Sequence, residues 1–164
     1  MTLQEFFLKQ KKAIRKRSAD VFPLLHPEDM QWRPSKDALS IGEMLRHLWV
    51  SEEGVRRVAL DGNFAYYEAR IPGGLPAVLG MPGSLENELT NLDRVHWETL
   101  QAVSATPAAI FEEERTHPGL GFRRRVSVIL FGINEHEVHH RAQLMMCLRM
   151  LGRPVPQPFV WPRK

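Results

Sequence analysis

The chain has 164 residues, 43% of them hydrophobic and 25% charged, the proportions of an ordinary globular protein. A single cysteine, Cys147, excludes an internal disulfide and points to a reducing compartment, and the absence of any run of ~18 apolar residues excludes a membrane-spanning helix. The net charge is +3, with basic clusters at Lys9, Lys11, Lys12, Arg15, Lys16 and Arg17 and at Arg123, Arg124 and Arg125; no nucleic-acid motif accompanies either, so they read as solvated faces rather than a nucleic-acid patch.

Helical signals dominate. Thr2 and Glu5 have capping-box spacing, and Leu3, Phe6, Phe7, Ile14, Val21, Leu24 and Leu25 follow near one face, predicting a first helix that ends before Pro27. Two prolines, Pro27 and Pro34, break the connection that follows. Ser40 and Glu43 form a second capping box, opening a helix from Ile41 to about Leu60 with Ile41, Met44, Leu45, Leu48 and Val55 as its apolar stripe and His47 beside it. Residues Asp61 to Gly83 hold five of the eleven glycines and three prolines, which predicts a long connection, mostly loop. Ser84 caps a third helix to about Ser104, with Leu85, Leu89, Leu92, Val95, Trp97 and Leu100 as core candidates. Thr106-Pro107 opens a short helical turn through Glu114, and His117 to Gly121 is a turn. A fourth helix runs from about Arg124 to Leu151, stopped by Gly152 and Pro154, and a proline-rich extended tail follows to Lys164. No strand pair is predicted. The expected architecture is an all-α four-helix bundle, one domain over residues 1–164, with a long crossover between helices 2 and 3. Met1 to Asp20 has no uninterrupted apolar segment of the signal-peptide kind, so the expected location is cytoplasmic.

The chemistry concentrates in the last helix. His136 and His140, four apart, stack on one face that Val126, Ile129, Ile133, Leu144, Cys147 and Leu151 continue into the core. A buried imidazole must satisfy both ring nitrogens or lose roughly 1–3 kcal/mol per unsatisfied group. Either ordinary core hydrogen bonds or a shared divalent metal would do this. His47, beside the apolar stripe of another helix, offers a third imidazole and favours the metal. His26, His96 and His117 read as surface or packing residues, and His139 is rotated off the stripe. The residues His136 to His140 also spell H-E-x-x-H, the zincin pattern in which Glu137 would be the general base. Zincins place a third ligand downstream, and no Asp, Glu or His follows His140, so that reading is set aside. Glu52 and Glu53 lie one to two turns after His47 and could orient a ligand or accept a proton; surface positions suit them better.

Three stretches carry a family resemblance: Gln31-Trp32-Arg33-Pro34 with Leu39 to Leu48, His136 to Gln143, and Leu151-Gly152-Arg153-Pro154. They resemble the W-x-P…S-I-G-E-x-x-x-H-L and H-x-x-x-H-R-x-Q segments of the DinB/YfiT-like helical bundle proteins, a family distinct from the DNA polymerase of the same name. The resemblance spans roughly Leu3 to Pro158. It implies a bundle of four long helices and one nickel or zinc ion per chain held by His47, His136 and His140, with Arg141 and Gln143 matching the motif without being ligands. It also implies a homodimer. Ala142 departs from the glycine common there. Characterised relatives include transferases and isomerases that use low-molecular-weight thiols such as mycothiol or bacillithiol, and others are regarded as metal-dependent hydrolases. Three histidines leave a metal with open positions, the pattern of a catalytic site. The leading expectation is a metal-dependent thiol S-transferase acting on small electrophiles. The alternatives are a hydrolase using metal-bound water and a non-enzymatic, stress-induced metal-binding or interaction protein.

Overall fold

The computed structural model of the chain describes residues 1–156; the expected extended tail beyond Pro156 lies outside the described residues. Among these residues six α-helices and one hairpin follow in order: α1 (Leu3–Ala19), α2 (Ile41–Asp61), α3 (Ala65–Gly73), α4 (Pro76–Leu79), α5 (Leu85–Ala105), β1 (Glu114–His117), β2 (Phe122–Arg125) and α6 (Val126–Met150). The four long helices, α1, α2, α5 and α6, make the bundle.

Both capping boxes form. Glu5 N donates to Thr2 Oγ1 and Thr2 N to Glu5 Oε2; Glu43 N donates to Ser40 Oγ and Ser40 N to Glu43 Oε2. Ser84 caps α5 through Asn87 N. The glycine of the Ser40-Ile41-Gly42-Glu43 stretch permits a close approach. Gly42 N donates to Met30 O at 2.9 Å, and a Cβ there would fall 2.9 Å from Met30 Cε.

Helix directions follow from the cross-helix pairs. Arg46 and Trp49 of α2 meet Glu88 of α5, and Arg56 meets Glu98, a constant offset that makes α2 and α5 parallel. Phe7 packs on Phe131 and Arg141 reaches Ile14 O, so α1 and α6 are also parallel. Gln4 bonds to Val103 O and Arg15 to Leu92 O, so α1 and α5 are antiparallel. Two neighbouring helices that run the same way cannot be joined by a tight turn. The α2–α5 crossover is long for that reason. Glu88, fully buried, fixes the pair by accepting from Arg46, from Trp49 Nε1 at 2.7 Å and from Gly83 N at 2.6 Å. The hydrophobic core forms two clusters, one around Leu45, Leu92 and Leu148, the other around Phe7, Val58 and Leu130.

Several expectations need correction. The first helix stops at Ala19 and gives way to a 3-10 turn over Phe22–Leu24, because Pro23 would clash with the carbonyl four residues back. The crossover carries α3 and α4 rather than mostly loop. The segment after Pro107 is a 3-10 turn to Glu112, and a β-hairpin then forms, pairing Glu114 with Arg125 and His117 with Phe122. The last helix consequently starts at Val126, two residues late. Leu3, Phe6 and Trp97 are exposed, Trp97 by 61%, because the two neighbouring long helices cover only part of each helix's circumference. The basic run in α1 is not wholly a solvated face: Lys11 is 0% exposed and Arg15 is buried, each turned onto carboxylates of other helices. At the other end, Arg153 forms a bidentate pair with Asp29, Nη2 to Oδ1 at 2.8 Å, and tethers the end of α6 to the first connection. Burial alone would raise the Asp29 pKa; the Arg153 hydrogen bonds hold it below its ordinary value.

Candidate metal centre

α2 presents His47 and α6 presents His136 and His140 at one point in the bundle. The Nε2 atoms of His136 and His47 lie 2.9 Å apart, and those of His140 and His136 lie 3.0 Å apart. The rings meet edge-on, with centroids 4.4–4.7 Å apart. The i, i+4 spacing read from sequence therefore does what it should: one helix face supplies two imidazoles, and the antiparallel neighbour supplies the third.

Other side chains fix the outer ring nitrogens. His140 Nδ1 donates to Gln143 Oε1 at 2.7 Å, which leaves its Nε2 with a lone pair facing the centre. His47 Nδ1 lies 2.9 Å from Ser51 Oγ, which lies 2.7 Å from Tyr66 OH on α3. Burial, then the nearby His140 and Arg70, lowers the His47 pKa to about 4. Burial, then His140 and His47, lowers that of His136 to about 3. Burial also lowers the His140 pKa, against the opposing Gln143 bond. All three imidazoles are thus neutral near pH 7, the form that ligates metal. Three ring nitrogens facing one point cannot all be satisfied by each other, whereas a shared cation would satisfy every one. The donor set fits a divalent ion such as zinc or nickel.

The three histidines open onto a cavity of about 660 Å³. Its walls are largely apolar, with Val55, Leu75, Phe122, Val128, Ile129 and Ile133 among them. Tyr66, Arg70, Arg124, His139 and Glu52 are among its polar groups. A smaller cavity behind Trp49 and Ala77 holds none of the histidines.

Glu137 stands elsewhere. It is buried, does not line the cavity, and is held by Arg15 Nε at 2.9 Å on one oxygen and by Lys11 Nζ at 2.8 Å on the other. Burial alone would raise its pKa, but Lys11 and Arg15 depress it to about 2. A carboxylate so saturated is no general base, and the zincin reading has no support in the geometry. Glu52 is the correction: it is 4% exposed, not a surface residue, with Oε2 on Lys11 Nζ at 2.6 Å and Oε1 without a hydrogen-bond partner. Glu53 lines the smaller cavity instead and pairs with Arg57 and Arg94. His96 is buried in the core, His26 and His117 pair with Glu28 and Glu68, and His139 is exposed at the cavity edge.

Ser51 and Gln143 escaped the sequence reading as orienting groups, although each sits one turn after the histidine it bonds. Tyr66 left one trace: Gly54, in mid-helix, where a Cβ would lie 2.3 Å from the Tyr66 ring.

The DinB superfamily model matches residues 10–144. The chain belongs to the DinB superfamily. The family resemblance read from sequence therefore holds. Among solved structures, a DinB-like protein of Bacillus subtilis (YjoA) is similar at a TM-score of 0.72 and 15% identity, covering 92% of this chain and 95% of the other. A DinB-like protein of Bacillus cereus is similar at 0.72 and 18%, covering 94% and 97%. YfiT of Bacillus subtilis, described as a probable metal-dependent hydrolase with an unusual four-helix bundle topology, is similar at 0.68 and 11%, covering 92% and 89%. At these identities the likeness concerns the fold. No match is found among curated proteins.

Proposed function

We propose that this DinB-superfamily protein is a metal-dependent enzyme that transfers a low-molecular-weight thiol to small electrophiles, with His47, His136 and His140 as ligands of one zinc or nickel ion. The observation that carries the reading is the convergence of three neutral imidazoles at the wall of a 660 Å³ cavity with apolar sides. A divalent ion held by these three histidines would lower the pKa of a thiol or water bound to it, favouring the nucleophilic anion at neutral pH.

The protein's own groups do the rest. Gln143 and the Ser51–Tyr66 pair hold two of the rings in orientation, as such partners do in metal sites generally. Val55, Phe122 and Ile133 exclude water and accept an apolar electrophile. Glu52, tethered by Lys11 through one oxygen, offers Oε1 to take the proton that the nucleophile sheds.

A hydrolase that acts through bound water is the second reading, favoured by the description of YfiT. A homodimer is part of the proposal. The exposed Val138, Ala142, Met146 and Met150, four apart along α6, supply an apolar stripe for it.

Elemental analysis of tag-free wild type beside His136→Ala is the first test. About one zinc or nickel per chain, lost in the variant, is expected. A wild type that takes up neither metal overturns the reading. Loss of free thiol in the presence of monobromobimane, above the rate of a metal-free control, identifies the transferase; turnover of p-nitrophenyl acetate without thiol identifies the hydrolase.

A further inference from the structure

Among the described residues most arginines pair with acids, and Arg70 and Arg124 are the arginines of the histidine cavity. Arg123 and Arg125, on β2, pair with Glu114 and Glu112. Arg124 lies between them. Alternation along the strand turns it to the other face, where it lines the histidine cavity. Among the described residues it has no acidic partner; its Nη1 donates only to the carbonyl of Arg123.

Arg70 lines the same cavity from α3, on the crossover. Its guanidinium lies 5.7 Å from the centroid of the Tyr66 ring, and no described carboxylate pairs with it. Glu68, two residues away, is taken by His117 Nε2 at 2.9 Å. The cavity has one acid, Glu52, and its Oε2 is committed to Lys11. Two guanidinium groups thus face a largely apolar space with no fixed counter-charge, one contributed by the crossover and one by the hairpin. Such a space attracts an anion, and a guanidinium matches a planar carboxylate better than it matches a point charge.

We infer that Arg70 and Arg124 form an anion subsite, so that the molecule taken by this cavity is an organic carboxylate with an apolar body. The apolar body lies along Val55, Phe122, Ile129 and Ile133, and the carboxylate meets the arginines. This names the substrate class for the proposed enzyme and rests on the cavity being its substrate site, not on the identity of the nucleophile.

The test compares phenylacetate with phenethyl alcohol, a neutral molecule of nearly the same shape, by calorimetric titration of the full chain as purified. Wild type is expected to bind the carboxylate at least roughly tenfold tighter than the alcohol, the strength of a hydrogen bond to a charged group. Arg70→Gln combined with Arg124→Gln is expected to erase that preference and leave alcohol binding unchanged. Equal affinity for both probes in wild type, or no binding of either, overturns the inference. So does a preference that survives in the double variant, since the carboxylate would then be held at the histidine centre. Metal content measured on the same samples, before and after incubation with zinc and nickel, separates the two proposals: failure of the probes with metal bound rejects the anion subsite alone, and a protein that takes up neither metal yet still prefers the carboxylate rejects the metal centre alone.

Discussion

His136 and Glu137 are adjacent in sequence and face different interiors. The histidine turns to the cavity, and the glutamate turns to Lys11 and Arg15 of α1. Burying four charges is costly unless they neutralise one another, and here two cations meet Glu52 and Glu137. His96 of α5 lies beside this cluster. Burial, then Arg15 and Lys11, with Lys12 also contributing and Glu137 opposing, lowers its pKa from 6.5 to about 3. The sign follows. Above pH 6.5 the residue is neutral folded or unfolded; below it the unfolded chain takes up a proton that the folded chain refuses until about pH 3, so stability falls as pH falls through that window. Urea melts of His96→Gln are expected to show a shallower loss of stability between pH 6.5 and pH 4 than wild type; parallel curves would mean that His96 is not held neutral by the fold.

At the scale of elements, α2 is the organiser. It supplies His47 to the centre, Ser51 behind it, Glu52 to the cavity and Gly54 to the crossover. Gly54 decides how closely α3 can lie on α2, because a Cβ there would overlap Tyr66. Gly54→Ala is expected to cost roughly 1–3 kcal/mol, the scale of overpacking, despite the better helix propensity of alanine. It is also expected to part Tyr66 from Ser51 and so weaken metal retention, read as faster zinc loss to a chelator. A variant as stable as wild type with unchanged zinc release would mean that α3 is not seated by this contact.

The whole molecule has two parallel helix pairs, α1 with α6 and α2 with α5, and among the described residues α6 packs against α1 and α2 and turns its remaining face outward. Val138, Met146 and Met150 stand exposed there. If that stripe is the homodimer contact, light scattering should give twice the 18.9 kDa of one chain for wild type and one chain mass for Met146→Glu. A Met146→Glu protein that keeps the dimer mass would move the contact elsewhere. Because the site is built inside one chain, metal content is expected to be unchanged in the monomeric variant.

The capping boxes at Thr2 and Ser40, the helix spans of α2, α5 and α6 to within a few residues, and the pairing of His136 with His140 were legible in the sequence, because each depends on spacing along one helix; His47 entered from its place beside another apolar stripe and from the family resemblance. The hairpin, the short helices of the crossover and the early stop of α1 were not; short elements take their stability from what they pack against, which no local pattern records. The same limit separated Lys11 and Arg15 from the lysines around them, since a charge is buried only where another helix brings its counter-charge. Sequence by itself determined that His136 and His140 share a face. Only the tertiary structure decided that His47 meets them, that Glu52 rather than Glu137 faces the cavity, and that Arg70 and Arg124 stand there unpaired, because each of those facts depends on the parallel and antiparallel packing of helices distant in the chain.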